Sequence, residues 1–123
     1  MTIQELYTAI DGNYESAKRI LPMDKLIEKF IVKVLDDKSI DRLKNAKGSH
    51  DAQELFEASH AMKGMCANLG LDKLSAMASV ISEEFRPGKS RTMDDAAIDE
   101  KIDAFVQKFD VTTEEIKKFV ASK

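Results

Sequence analysis

Apolar residues recur along this chain at three- and four-residue steps almost throughout, the spacing of one buried helix face, and strand-like alternation is absent. Thr2-x-x-Glu5 is a capping-box pattern that opens a short first helix, Ile3 to Ile10, stopped by Asp11-Gly12. A second short helix, Tyr14 to about Ile20, ends before Pro22, because proline disfavours helical geometry at the preceding Leu21. Met23, Leu26, Ile27, Phe30, Ile31, Val34 and Leu35 then form an amphipathic stripe. Asp36-Asp37-Lys38-Ser39 interrupts it, and Ile40, Leu43 and Ala46 carry it on to Gly48, so one bent helix and two successive helices both fit. Ser49 or Asp51 caps the next helix, which runs to about Gly70, and a further helix spans Leu71 to Phe85 with Leu71, Leu74, Ala78, Ile81 and Phe85 inward. Arg86-Pro87-Gly88-Lys89-Ser90 is the clearest loop. Beyond it Thr92 caps a helix carrying Ile98, Ile102, Phe105 and Phe109, and Thr112-x-x-Glu115 caps a last short one. The pattern predicts a single all-α domain: an antiparallel up-down-up-down four-helix bundle over residues 21–109, with short extra helices at 1–20 and 112–122.

Composition narrows the function classes. At 123 residues the chain has the size of one domain and can bury a sizeable core. Lys+Arg 19 against Asp+Glu 22 leaves a net charge of -3, which argues against a surface built for nucleic acid or anionic lipid. The apolar runs are too short for a membrane span and the N-terminus lacks a signal-peptide layout, so a cytoplasmic monomer is expected. The lone Cys66 excludes an internal disulfide, and with only His50 and His60 beside it no metal site is expected. The seam position of Cys66 marks it as a small core residue, while His50 lies in the Gly48-Ser49 turn and is assigned no role.

The helix from Asp51 to Gly70 carries the one unusual face. At roughly 100° per residue, Ala52, Leu55, Ser59, Met62, Cys66 and Leu69 form a narrow inward seam. His60 falls about 140° from its centre and Gly64 about 180°. Lys63 lies one turn from His60, Ala67 and Gln53 complete the outward patch, and Phe56 borders it. A mid-helix glycine costs about 1 kcal/mol relative to alanine, so Gly64 calls for a reason. Close approach of another molecule, beside an exposed imidazole and an ammonium, is one such reason.

The segment His60-Ala61-Met62-Lys63-Gly64-Met65-Cys66-Ala67-Asn68-Leu69-Gly70 resembles the H-x-x-K-G-x-x-x-x-L-G signature of histidine-containing phosphotransfer (HPt) domains, the modules of multistep two-component signalling. His60, Lys63, Gly64, Leu69 and Gly70 match all five fixed positions, and the likeness extends over roughly Leu21 to Phe109. The resemblance implies a stand-alone phosphocarrier with no nucleotide site of its own, which takes a phosphoryl group on His60 from a receiver-domain aspartate and passes it to another receiver. It implies receiver domains, and a hybrid histidine kinase, as partners, with Mg²⁺ supplied by the receiver. Lys63 would steady the transferring oxygens and Gly64 would admit the receiver, with Ala67, Phe56 and Gln53 around them. Members of this family often place Gln or Glu on the next helix near the histidine, where this chain has Ser79 and Ser82. Ser75, Ser79, Ser82 and Arg86 form a stripe there, so Ser79 or Ser82 orienting the imidazole and Arg86 favouring phosphate stand beside a plain helix-packing role. Two other functions fit the same helices: a non-phosphorylated bundle that sequesters a receiver or kinase, and a helical dimerisation module. Gly64 discriminates against the second, which has no use for a bare patch.

Overall fold

Four of the seven α-helices begin at a side chain that accepts a backbone N–H of the first turn. A computed structural model describes all 123 residues. The Thr2 hydroxyl accepts from the Glu5 N–H at 3.1 Å while the Glu5 carboxylate accepts from the Thr2 N–H at 2.8 Å, opening α1 (Ile3–Ala9). Asn13 caps α2 (Tyr14–Ile20), which ends at Leu21 ahead of Pro22. The next helix, α3 (Asp24–Lys33), tightens into a 3₁₀ turn at Val34–Asp36. Asp37 is extended and its carboxylate takes the Ser39 N–H at 2.7 Å, so α4 (Ser39–Ser49) starts afresh: two successive helices form. Asp51, not Ser49, caps α5 (Ala52–Asn68), accepting from the Glu54 N–H at 3.0 Å. Two more helices, α6 (Asp72–Glu84) and α7 (Asp95–Ala121), complete an all-α chain without strands. No helix is long and apolar enough to cross a membrane.

Helix α5 packs against α4 and α6, α6 against α7, and α7 back against α4, while α1 and α2 close over α3 and one end of α7. The core between them is one contiguous apolar cluster that includes Leu6, Ile27, Leu43, Leu55, Met62, Leu74, Ile81, Ile98, Phe105 and Phe119. Burial of each such side chain contributes about 1.5–3 kcal/mol, and this is what holds short helices of modest propensity in place.

Five expectations need correction. No separate C-terminal helix exists at 112–122, because α7 runs unbroken through Thr112. The Thr112 hydroxyl turns back to the Lys108 carbonyl at 2.9 Å inside the helix, and the core side chains Ile98, Ile102, Phe105, Phe109, Ile116 and Phe119 keep one continuous face across it. Thr92 does not cap α7; Asp94 does, accepting from the Ala97 N–H at 2.8 Å. On α5, Ala52 is exposed and Ala58 is buried in its place, so the seam starts at Leu55. Finally, Met23 and Phe30 of the α3 stripe are exposed rather than core. His50, read as a surface turn residue, instead ends α4 in the left-handed conformation (φ 53°), with Nε2 2.9 Å from the Asp99 carboxylate of α7.

The α5–α6 turn is also the anchor for the N-terminal helices. Gly70 has φ 68°, and a Cβ there would lie 2.3 Å from the Asn13 carbonyl oxygen and 2.8 Å from the Ala17 nitrogen, so only glycine fits. The Asn13 N–H donates to the Gly70 carbonyl at 2.7 Å, and the buried Tyr7 hydroxyl donates to the Leu69 carbonyl at 2.6 Å.

Thr92 serves a different clasp. The buried Glu84 carboxylate at the end of α6 accepts from the Thr92 N–H and hydroxyl and, at 3.1 Å, from the Met93 N–H, pinning the loop that leads to α7. Those backbone donors, Thr92 first, hold its pKa below the ordinary carboxyl value of 4.5. A depressed folded-state pKa contributes stability above the unfolded value, and that contribution is lost as pH falls through the folded one. Glu84→Gln is therefore expected to lower the urea midpoint at neutral pH, with the gap to the parent closing as the solution is acidified below the carboxyl range. Urea melts of both proteins across that range check it.

Candidate functional site

His60 sits in the middle of α5 and is exposed, as expected from the wheel. Phe56, one turn earlier and half-buried, stacks on it with ring centroids 5.4 Å apart and planes inclined by 19°. That contact limits rotation of the imidazole without using either ring nitrogen, and both nitrogens remain free of protein hydrogen bonds. Lys63 is half-buried along its stem, and its ammonium takes part in no ion pair. Gln53, Gly64 and Ala67 are exposed on the same face, and a Cβ built on Gly64 would meet nothing within 4 Å. Gly64 is thus bare toward solvent, and no neighbouring helix requires it.

The helix carrying these residues is held from both sides. Ser75 of α6 donates its hydroxyl to the Lys63 carbonyl at 3.1 Å, fixing the backbone under the ammonium. From α4, Arg42 grips both carboxylate oxygens of Glu54, at 2.9 and 3.1 Å, and reaches Glu57 at 3.3 Å. The guanidinium holds the Glu54 carboxyl below its usual range. It also offsets the two acids nearest the N-terminal side of His60, so Lys63 remains the unpaired charge beside the imidazole. Arg42 had no signal in the sequence; only the packing of α4 on α5 brings it here.

No serine of the α6 stripe is hydrogen-bonded to the imidazole. Ser82 is buried and donates to the Ser79 carbonyl at 3.2 Å, Ser79 is half-buried, and neither bonds to His60. Arg86 is exposed and pairs with Glu83 at 3.3 Å. Small polar side chains here permit close approach of α5 and α6, and no hydrogen bond joins Ser79, Ser82 or Arg86 to His60. Cys66 is fully buried, and burial pushes its thiol up to about 12, so it is packed and unreactive. No group of three His, Cys, Asp or Glu side chains is arranged to hold a metal ion.

An exposed histidine, a cation one turn on and a bare glycine beside them lie within a stretch that a family model covers: the Hpt domain model matches residues 25–112 of the 123. The chain belongs to the Hpt domain family. No curated protein and no solved structure gives a significant match. Hpt domains are phosphocarrier modules rather than kinases; they serve histidine phosphotransfer in phosphorelays, where they interact with receiver domains and kinases. In this Hpt domain α1 and α2 precede the matched residues, although they are bolted to the Leu69-Gly70 turn within them.

The open space over Gly64 separates stability from function. Gly64→Ala is expected to raise stability by about 1 kcal/mol, since it removes a helix penalty and meets no neighbour. Gly64→Gln should fold as well as the parent, yet its side chain would fill the space next to His60. Receiver-dependent labelling is then expected to fall steeply, on the order of a hundredfold for a misplacement of about 1 Å. Urea melts and labelling of the same three proteins test both halves.

Proposed function

We propose that this Hpt domain carries phosphate between receiver domains, with His60 as the acceptor. The observation that supports this most is the placement of His60: exposed, free of hydrogen bonds, backed by Phe56, and flanked by the unpaired Lys63 and the bare Gly64. A neutral imidazole is a competent nucleophile near neutral pH. The lone pair of its outward nitrogen attacks the phosphorus of a receiver's aspartyl phosphate. The bond from phosphorus to the carboxyl oxygen breaks, its electron pair leaves with the aspartate, and a phosphorus–nitrogen bond forms. A second receiver's carboxylate reverses the process and regenerates the free imidazole. Such transfer needs in-line positioning and charge stabilisation, and little acid–base work from the protein. Lys63 steadies the transferring oxygens, while Gly64 and Ala67, with Gln53 at the rim, let the receiver approach.

The divalent cation belongs to the receiver's acidic pocket in this scheme, and the chain works as a cytoplasmic monomer with no nucleotide site. The helices of residues 21–109 and the continuation of α7 form an up-down-up-down bundle whose short turns at His50-Asp51 and Leu69–Leu71 make neighbours antiparallel. The bundle is one domain with the N-terminal helices as its lid.

His60→Gln is expected to abolish labelling by phosphorylated receivers in the presence of Mg²⁺, and to leave the urea midpoint nearly unchanged because the side chain is exposed. The label on the parent should be acid-labile and alkali-stable, as for a phosphoramidate; label that persists in His60→Gln or moves to His50 overturns the assignment. For Lys63→Ala, stability should change by about 0.5 kcal/mol or less while transfer slows. Rapid-quench transfer kinetics beside a urea melt read the two effects separately.

A further inference from the structure

His60 stands between two charged flanks of its own helix. At about 100° per residue, Glu57 lies roughly 60° to one side of His60 and Lys63 roughly 60° to the other, each about one turn away along the axis. Lys63 is on the α6 side, where Ser75 holds its carbonyl, and Glu57 is on the α4 side, where Arg42 reaches it. Arg42 is shared between two acids. Its Nε and Nη2 donate to the Glu54 carboxylate at 3.1 and 2.9 Å, and Nη2 also donates to Glu57 Oε2 at 3.3 Å. Apolar burial already holds these helices, through Leu43 and Ala46 on α4 and Leu55 and Ala58 on α5. The Arg42 side chain is 43% exposed, so its ion pairs contribute little to stability. Their effect is on charge. Glu54 and Glu57 against Arg42 and Lys63 leave the flanks of His60 balanced, and without Arg42 the same flanks carry one net negative charge. Arg86 pairs with Glu83 and Lys73 with Asp11, so neither is free to replace Arg42.

We propose that Arg42 is a positioning residue for phosphoryl transfer at His60: it holds Glu54 and Glu57 aside and offsets their charge, so that a phosphoryl group meets the imidazole with no free carboxylate beside it. This rests on the phosphotransfer function proposed above and adds to it a residue from outside the histidine helix. A phosphoryl group bound for His60 brings about two negative charges near neutral pH. An unpaired Glu57 carboxylate, one turn from the imidazole, repels that group on approach and again in the product. Arg42 is the only ion-pair partner of Glu57, whose side chain is 46% exposed. Arginine suits the task because its planar fork engages both oxygens of one carboxylate and keeps a donor for a second. A lysine ammonium supplies the same charge without that geometry.

The test uses the full chain and two phosphate donors. Phosphoramidate is a small donor that needs no docking surface. The imidazole nitrogen attacks its phosphorus, the phosphorus–nitrogen bond of the donor breaks, and ammonia departs from the protonated donor with the bonding electron pair. Phosphorylated receiver domains with Mg²⁺ are the second donor. Arg42→Gln is expected to slow labelling by phosphoramidate about fivefold, the size of the effect of one unit charge at roughly 8 Å near a protein surface. Adding Glu57→Gln to that variant should restore most of the rate, and Arg42→Lys, which keeps the charge, should lose less than Arg42→Gln. The Arg42→Gln deficit should shrink in about 1 M salt, where the screening length is about 3 Å. Lys47→Gln breaks a different link of α4, to Asp103, and as the control should label like the parent. Urea melts confirm the folds. Glu57→Gln alone, which keeps Arg42, should be no slower than the parent, and a slower one overturns the proposal even if Arg42→Gln fails to fold. An Arg42→Gln protein that labels at the parent's rate overturns the proposal and leaves phosphotransfer standing. So does a deficit that neither Glu57→Gln nor salt relieves, which assigns Arg42 to helix packing. If phosphoramidate labels His60 but no receiver does, the receiver function falls, while the phosphoramidate rates still decide the role of Arg42. A parent that takes no label from either donor overturns both.

Discussion

The left-handed turn at Gly70 is the constraint on which the rest of the molecule depends. It ends α5 where the core face runs out, sends the chain back as α6, and leaves no Cβ between the turn and the Asn13-to-Ala17 backbone. Two hydrogen bonds cross that contact, a buried one from the Tyr7 hydroxyl to the Leu69 carbonyl and one from the Asn13 N–H to the Gly70 carbonyl. Bonds in such a place are expensive to leave unmade, so the N-terminal helices and the end of the histidine helix form or open together. The position of α2 relative to the histidine helix follows from this one junction.

Around that junction the two faces of α5 obey opposite rules. The inward face is close-packed, with Leu55, Ala58, Met62 and Cys66 buried and Ser59 returning its hydroxyl to the Leu55 carbonyl. The outward face is kept low at Gly64 and Ala67 and gives up helix propensity at the glycine to do so. Phe56 and Lys63 border His60 beside that low patch, one stacking on the imidazole and one supplying charge. Rigidity beneath and access above are both needed for in-line chemistry, and the same helix provides both because its side chains alternate between the faces every few residues.

The ion pairs show how tertiary packing edits charge that the chain distributes evenly. Arg42 spans from α4 to the two acids before His60, Lys47 reaches Asp103 at 2.6 Å, and His50 lies against Asp99. These exposed links contribute little stability each. Their effect near the site is to leave Lys63 as the local positive charge, which no count of Lys and Glu along the chain could have anticipated.

The helices, the outward placement of His60 and Gly64, and the membership of the family were legible in the amino-acid sequence, because helical period and a contiguous motif are local properties. Caps at Thr2 and Asp51 were legible for the same reason, while Thr92 was misread: its hydroxyl fits a capping pattern, but the buried Glu84 carboxylate, eight residues away, outcompetes the helix for it. The break expected at Thr112 failed likewise, since a hydroxyl that can cap can also bond back to the preceding turn when a continuous apolar face keeps the helix going. Ala52, Met23 and Phe30 were assigned to the core by spacing alone, yet their exposure depends on where neighbouring helices stop. Only the tertiary structure decided that the Ser82 hydroxyl turns back to its own helix, that Arg42 pairs with the acids before His60, and that the start of α2 is tied to the end of the histidine helix. The last two join residues far apart in the chain, and periodicity carries no information about which faces meet.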